Sequence, residues 1–506
     1  MNDTDYLLRP WAHRTSSYDY EDNNDNTTAI PQHLLVAYLF TFARSSPDTS
    51  TLPYVSSTIP FIGHALQLKR NGGHYVRDLI LQNPRHSLFI IDLLNKKLVV
   101  VNPALDRALA KHSRETSLIQ VVTLVAARSL GLSERESASS PKPRRAARVG
   151  SGLHPPPPRG AAGVAGSATR TMDLRRGPWR DGALLLGAEN PWNTDREFMD
   201  NFITLSDSFE DLVRPVAWLA AKPVYEAREL LVAKLMAFHK EHRASRVSST
   251  AHRINAIRMN SEDWEANPDY YKCELLQALG LLPTTSTLTT WLFRYLLVNP
   301  QLRRKIVTEV RRLERGVDGR PDLSNVRTTC PHLVAAWYET LRLSMTIVPR
   351  LATEDFEVPA VASATSGSGA PSAPSASADA VTVRKNDVLL LPMLSFNLDP
   401  QTWGPDAETF RAERFLNVDE AATGSTCSLR GPLTQKVRGF GVAGNLCPGK
   451  KIGFDTAMAM AATLLRDFDI EELEDEPFRT PTRLRRTNVG FDRLGDDVRV
   501  RLVRAG

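Results

Sequence analysis

The chain has 506 residues, 42% of them hydrophobic and 24% charged, which is the balance of a globular protein with a large core and excludes a fibre or a multispanning membrane protein. The net charge of +6 is uneven: Pro141 to Arg180 hold nine Lys/Arg against one acid, Asp173, a local +8 that leaves −2 elsewhere. That stretch is rich in Pro, Gly and Ala without interleaved aromatics, so it reads as a solvated basic loop, and no nucleic acid is expected as a partner.

In chain order, residues 1–50 form a polar extension. It carries one apolar run, His33 to Ala43, that is shorter than the roughly 20 residues needed to span a bilayer. It reads equally as an interfacial helix, with a membrane surface as partner, or as an ordinary buried helix. A single domain is expected over 51–506. Pro53 to Pro60 forms a stiff turn region leading into Phe61-Ile-Gly-His64. Ser87 to Asp92 and Lys97 to Val101 read as two strands around a turn at Asn95, and Ala104 to His112 reads as a helix. Residues 134–180 break the pattern and are expected to be disordered or a long loop.

Helical patterning returns from Asn201. Glu226 to His239 is amphipathic. Tyr270 to Val298 is long and apolar, with Pro283 inside it as the expected cause of a kink. Further helices are expected over Pro300 to Arg315, Leu333 to Met345 and Lys450 to Phe468, and a strand over Asp387 to Leu391. Val361 to Ala380, rich in Ser, Ala, Pro and Gly, reads as a flexible insertion. The fold class is mainly α, with small β-sheets near the two ends.

Four cysteines, Cys273, Cys330, Cys427 and Cys447, lie far apart with no CxxC pair. This argues against a disulfide framework or a zinc site, and for a reducing compartment. Cys447 stands apart. It follows a loop containing Gly441 and Gly444 and opens an apolar helix, so glycines allow a bulky ligand to approach and a helix N-terminus faces the sulfur, favouring thiolate. Taken alone, a cysteine before Pro-Gly is more often a core residue at a turn. Glu339 and Arg342, three apart, share one helix face and can pair. Arg414, within Trp403 to Phe415, could close a buried triad with them if every charge is hydrogen-bonded.

The order of these motifs resembles the cytochrome P450 family: Glu339-x-x-Arg342, then Phe410-Arg-Ala-Glu-Arg-Phe415, then Phe440…Cys447-Pro-Gly449. The resemblance runs from about Tyr271 to the C-terminus, and again from Pro53 to about Leu132. It implies the cytochrome P450 fold and haem b (iron protoporphyrin IX) with Cys447 as axial ligand. It also implies Phe440 beside that sulfur and Arg350 on a haem propionate. The implied activity is hydroxylation or epoxidation of an apolar small molecule with O2. Electrons would come from a separate NADPH-cytochrome P450 reductase docking near Lys436, Arg438, Lys450 and Lys451. The sequence style is similar to fungal members of secondary metabolism. The implied location is the cytosolic face of the endoplasmic reticulum membrane or the soluble cytoplasm.

Three departures from the family pattern matter. Asn445 stands where a basic residue usually contacts a propionate, and Ala443 takes the usual glycine's slot. In this the chain resembles the prostacyclin synthase and bile-acid hydroxylase branch. Pro283 replaces the acid of the oxygen-binding groove, while Thr284, the proton-delivering position, remains. The usual Trp-x-x-x-Arg pair is not recognisable; Trp192 and Arg196 have the spacing but lie late in the chain. The missing acid leaves open a haem-thiolate isomerase or dehydratase acting on a peroxide. The missing Trp/Arg pair leaves open a non-catalytic member.

Overall fold

The computed structural model describes Leu52 to Ala505, apart from residues 58–62, 94–95, 119, 122–128, 133–169, 174–189, 214–216, 243–263, 317–318, 360–379, 420–425, 443–444, 448, 485–489 and 496–497. The N-terminal extension, most of 134–180 and nearly all of 361–380 lie outside the described residues. Among the described residues, no helix is long and apolar enough to cross a membrane.

A two-residue strand, β1 (Tyr54–Val55), and helix α1 (Ala65–Gln82) precede the expected strand pair. β2 (Leu88–Leu93) and β3 (Lys96–Val101) form an antiparallel hairpin in the register Leu88↔Val101 to Leu93↔Lys96. Alternation sends Phe89, Ile91, Leu98 and Val100 into one core cluster and Leu88, Ile90, Val99 and Val101 into another, so the hairpin is covered on both faces. The Asn102 side chain accepts from Ala104 N, capping a short turn that runs into α2 (Asp106–Lys111). Strand β4 (Thr116–Ser117) follows.

One expectation fails next. Within the stretch read as loop, Arg170–Asp173 form a strand, β5. Its partner is the last strand of the chain, so no local pattern could reveal it.

Four helices carry the middle of the chain. They are α3 (Arg196–Asp207), α4 (Lys222–Glu241), α5 (Pro268–Leu297) and α6 (Pro300–Arg311). Asn267 caps α5, its side chain accepting from Asp269 N, and Pro268 takes the first position, where no donor is lost. The helix continues through Pro283, which lacks an N–H and removes the ladder bond to the carbonyl of Leu279. α7 (Pro331–Ser344) also starts on a proline and buries almost all of its length.

The remaining strands come in pairs. β6 (Val348–Ala352) is followed by the antiparallel hairpin of β7 (Phe356–Pro359) and β8 (Ala380–Val383), whose last pair is Pro359↔Ala380. β9 (Val388–Leu391) pairs antiparallel with β6 and parallel with β3. Strands from residues 54–117 and 348–391 therefore share one six-stranded sheet, β1-β2-β3-β9-β6-β4. Strand order across such a sheet is set by long-range pairing that composition does not record.

Two small hairpins follow: β10 (Leu416–Asp419) with β11 (Thr426–Leu429), and β12 (Gly441–Val442) with β13 (Asn445–Leu446). The last long helix is α8 (Lys450–Asp467), and β14 (Phe468–Glu471), β15 (Arg499–Arg504) and β5 form the closing sheet.

The main core lies where α5, α6, α7 and α8 meet. On α8, Phe454, Ala457, Met458, Ala461, Ala462 and Leu465 recur at helical spacing and are buried there. Three of the six are alanines, which lets α5 lie close. A mainly α fold with small sheets is the observed architecture.

Candidate functional site

The site is built on α7. Glu339 and Arg342 lie one turn apart on its inner face, both fully buried. Arg342 donates to both carboxylate oxygens, Nε to Oε2 and Nη2 to Oε1, each at 2.7 Å. Arg414 reaches the same carboxylate from the Trp403 to Phe415 segment, Nε to Oε1 at 3.1 Å, and Arg411 N–H donates to Oε1 at 2.9 Å. The rest of each guanidinium is spent on backbone and on one more acid. Arg342 Nη1 donates to Asn397 O and Ala407 O, and Arg414 donates to Trp403 O, Asp406 O and Asp406 Oδ1. The Arg414 hydrogen bond holds the Asp406 carboxyl below its usual range. Two cations therefore meet two anions, the condition under which buried charge is tolerated.

Asn397 is the residue that sequence reasoning missed. It is fully buried at the end of a short helix, Met393–Asn397. While its carbonyl receives Arg342, its side chain grips the backbone of Arg438, accepting from N at 2.8 Å and donating to O at 3.3 Å. It thus ties the charged cluster to the loop leading to Cys447. No local pattern marks an asparagine that binds backbone 41 residues away. Asn397→Ala strands buried backbone groups and is expected to destabilise the protein by about 1–3 kcal/mol. Urea unfolding would check this; an unchanged midpoint would refute the clamp.

After Arg438 the chain turns sharply. A Cβ at Gly439 would sit 3.2 Å from the Leu341 Cβ, so the loop rests directly on α7. Gly441 has φ of 106°, a conformation open to glycine and strained for other residues. The hairpin β12–β13 follows, and Cys447 N–H donates to Phe440 O at 2.7 Å, closing its base. Cys447 then leads into α8 through Lys450 N–H, which donates to its carbonyl.

Cys447 is the one cysteine of the four that is exposed; Cys330 is buried, and Cys273 and Cys427 are half-buried. Two glycines of the following segment lie close by. A Cβ at Gly449 would stand 3.6 Å from Cys447 Sγ, and one at Gly453 would touch both Phe440 Cε1 and Thr285 Oγ1 at 3.8 Å. α5, α8 and the loop aromatic therefore converge at Gly453, one turn beyond the start of the helix that Cys447 leads into.

The other expected residues fall as follows. Arg350 is buried on β6, opposite Leu389. Burial pulls its guanidinium down to about 10, with Asp106 opposing the shift. Asn445 lies in β13 opposite Val442; its side chain is outside what the structure describes. The Thr284 hydroxyl donates to Gly280 O at 3.2 Å, and its neighbour Thr285 is the one beside Gly453 and Phe440. Trp192 is buried against Phe198 and Phe202 in the α3–α4 cluster, while exposed Arg196 pairs with Asp200. Neither belongs to the core around Phe440. Of the basic residues near Cys447, Lys436, Lys450 and Lys451 are exposed. Arg438 is tied down instead, to Asp106 at 2.8 Å.

A family model described as Cytochrome P450 matches residues 374–491, the stretch that holds Arg414, Phe440 and Cys447. Over that stretch the chain is similar to the cytochrome P450 family. Its relatives include the cytochrome P450 monooxygenase nodJ of Hypoxylon pulicicidum, 26% identical over 238 residues, or 44% of this chain and 42% of that protein. Cytochrome P450 76T24 of Catharanthus roseus is 30% identical over 196 residues, 38% of this chain and 33% of that protein. Cytochrome P450 monooxygenase 128 of Postia placenta is 29% identical over 190 residues, 37% of this chain and 32% of that protein. The match thus spans less than half the length of each of these relatives.

The cofactor of cytochrome P450 proteins is haem b, held through a cysteine thiolate. The residues present fit such a group. The site offers one exposed soft sulfur, a glycine, Gly449, next to it, and a second glycine, Gly453, on the same helix against the Phe440 ring. Arg350 adds a buried cation whose charge burial disfavours, so an incoming carboxylate would stabilise it.

Proposed function

We propose that this protein is a cytochrome P450, a haem-thiolate monooxygenase that hydroxylates or epoxidises an apolar small molecule, with Cys447 as axial ligand. The observation that carries the reading is the placement of the exposed Cys447 thiol between the β12–β13 hairpin and α8, braced through Asn397 against the Glu339–Arg342–Arg414 cluster. When bound, the haem supplies dioxygen activation, and a thiolate ligand donates electron density that favours O–O cleavage. The protein residues do the rest. Cys447 would hold the group, and Phe440 would lie beside the bound sulfur. Arg350 binds an anionic edge. Asn445 stands in the loop where the family usually places a basic residue, so more of the carboxylate binding falls on Arg350.

Electrons would come from NADPH-cytochrome P450 reductase, docking on the face bearing Lys436, Lys450 and Lys451. Membrane attachment through the 1–50 extension and a role in fungal secondary metabolism belong to the same proposal. The latter draws support from the Hypoxylon and Postia relatives, both named monooxygenases. The experiment is a carbon monoxide difference spectrum of the reduced, purified protein. A Soret band typical of thiolate ligation is expected, and a protein that takes up no porphyrin would end the reading.

A second reading is favoured by Pro283 and Thr284. The acid of the groove is absent, and the Thr284 hydroxyl already donates to Gly280 O. An enzyme that rearranges an organic hydroperoxide needs no proton delivered at that point and no reductase. Thr284→Ala separates the two. If Thr284 moves protons, turnover with NADPH and reductase should fall at least tenfold, within the about 10²–10⁴-fold range of acid–base contributions. Turnover with a hydroperoxide should hardly change. Product formation from hydroperoxide alone in the native protein, with none from NADPH and reductase, would select the second reading.

A further inference from the structure

Away from Cys447, a second cysteine ends a chain of polar contacts. Cys427 lies half-buried on β11, opposite Val418. Its Sγ is 4.0 Å from His332 Nε2, on the first turn of α7. The other ring nitrogen, Nδ1, is 2.5 Å from Glu309 Oε1 on α6. Glu309 is itself anchored, accepting the N–H of His332 at 3.2 Å on both oxygens and that of Leu333 at 3.4 Å. A ring nitrogen against a carboxylate carries the proton, which leaves the Nε2 lone pair facing the thiol. Nucleophile, base and orienting acid thus come from three separate elements.

Helix capping explains only part of this. A carboxylate that caps α7 has no need of the imidazole, and the imidazole has no need to present its second nitrogen to sulfur. Burial pushes the Cys427 thiol up, with Glu309 adding to the shift and Lys305 opposing it. Exposure alone would therefore leave this thiol slow at neutral pH, and fast reaction requires the base.

We propose that Cys427 is a base-activated thiol and a site of modification by low-molecular-weight disulfides. His332 Nε2 takes the thiol proton as Cys427 Sγ attacks one sulfur of the disulfide. The S–S bond of the reagent breaks, and a mixed disulfide forms on Cys427. The leaving sulfur departs as thiolate and recovers the proton from His332. Cys427 is oxidised, the leaving sulfur is reduced, and no other oxidant is needed.

The test treats the full chain with oxidised glutathione at pH 7 and follows each cysteine by peptide mass spectrometry. Cys273, also half-buried, is the comparator, and Cys330, whose thiol burial pushes up to about 11, reports any loss of fold. Cys427 should react at least about tenfold faster than Cys273, at the low end of general-base contributions. His332→Gln should bring Cys427 down to the Cys273 rate without moving Cys273, and Glu309→Gln should lower it partway. The proposal is overturned if Cys427 in the native chain reacts no faster than Cys273, a comparison that needs no variant. It is equally overturned if His332→Gln, with Cys330 still protected, leaves the Cys427 rate unchanged. Both readouts concern residue 427 and hold whether or not Cys447 binds haem.

Discussion

Cys447→Ser is expected to abolish the thiolate-type Soret band of the reduced carbon monoxide complex and to reduce NADPH-driven turnover to background. The change exchanges one atom. The backbone contacts that shape the loop, Cys447 N–H to Phe440 O and Lys450 N–H to Cys447 O, do not involve the side chain and should survive. The fold should therefore persist, and thermal unfolding of the variant should match that of the native protein. On the proposed reading, what would be lost is a soft, electron-donating ligand, which a serine hydroxyl cannot replace because it stays protonated at neutral pH and is a hard oxygen donor. The other cysteines sit elsewhere: Cys330 is buried at the N-cap of α7, Cys427 is on β11 beside His332, and Cys273 is in the second turn of α5. A variant that keeps both the band and the turnover would remove Cys447 from the site. A variant that merely unfolds would be exposed by the thermal comparison, and Cys447→Ala would then repeat the test with no hydroxyl to bury.

How much of this was legible beforehand depends on how local the determining interaction is. The β2–β3 hairpin, α5 with its proline, α7 and α8 are all carried by short-range periodicity and end signals, and each lies within a few residues of its expected bounds. The Glu339-x-x-Arg342 pairing is local too, being one helical turn. The joining of β3 to β9 and of β5 to β15 is not local, because strand partners about 290 and 330 residues apart leave no trace in composition. Asn397 was invisible for the same reason. Its function lies in backbone groups of other segments, which no side-chain motif encodes. The Cys447 loop was readable because glycines, a cysteine and a helix start crowd into ten residues. The reading of Asn445 as a mark of one branch of the family is carried by a single position, and the relatives found do not bear on it.

Glu339→Gln is expected to lower the stability of the fold by about 3–5 kcal/mol, the usual effect of removing one partner from a buried ion pair. A typical domain has only about 5–15 kcal/mol in all, so the variant should unfold at markedly lower urea or fail to accumulate. The number follows from what is left behind. Glutamine keeps one acceptor oxygen but presents an NH2 to donors that already point inward. Arg342 would lose one of its two 2.7 Å bonds, or Arg414 and Arg411 would lose theirs. The two buried guanidinium groups would then have only the charge of Asp406 nearby, which is partly exposed, bonded to Arg414 but not to Arg342, and also paired with Arg411. Coulomb attraction alone does not decide the sign, since a buried pair gains little over an apolar core of the same shape. The penalty comes from stranding the arginines without water. Asp406→Asn is the control: its carboxylate is a third exposed, and its loss should move the urea midpoint far less, by about 1 kcal/mol or under. Arg342→Lys should behave like Glu339→Gln, because a single ammonium cannot span both carboxylate oxygens and still reach Asn397 O and Ala407 O. Equal urea midpoints for Glu339→Gln and the native chain would mean that this cluster does not brace α7, and with it the support of the Cys447 loop would need another source.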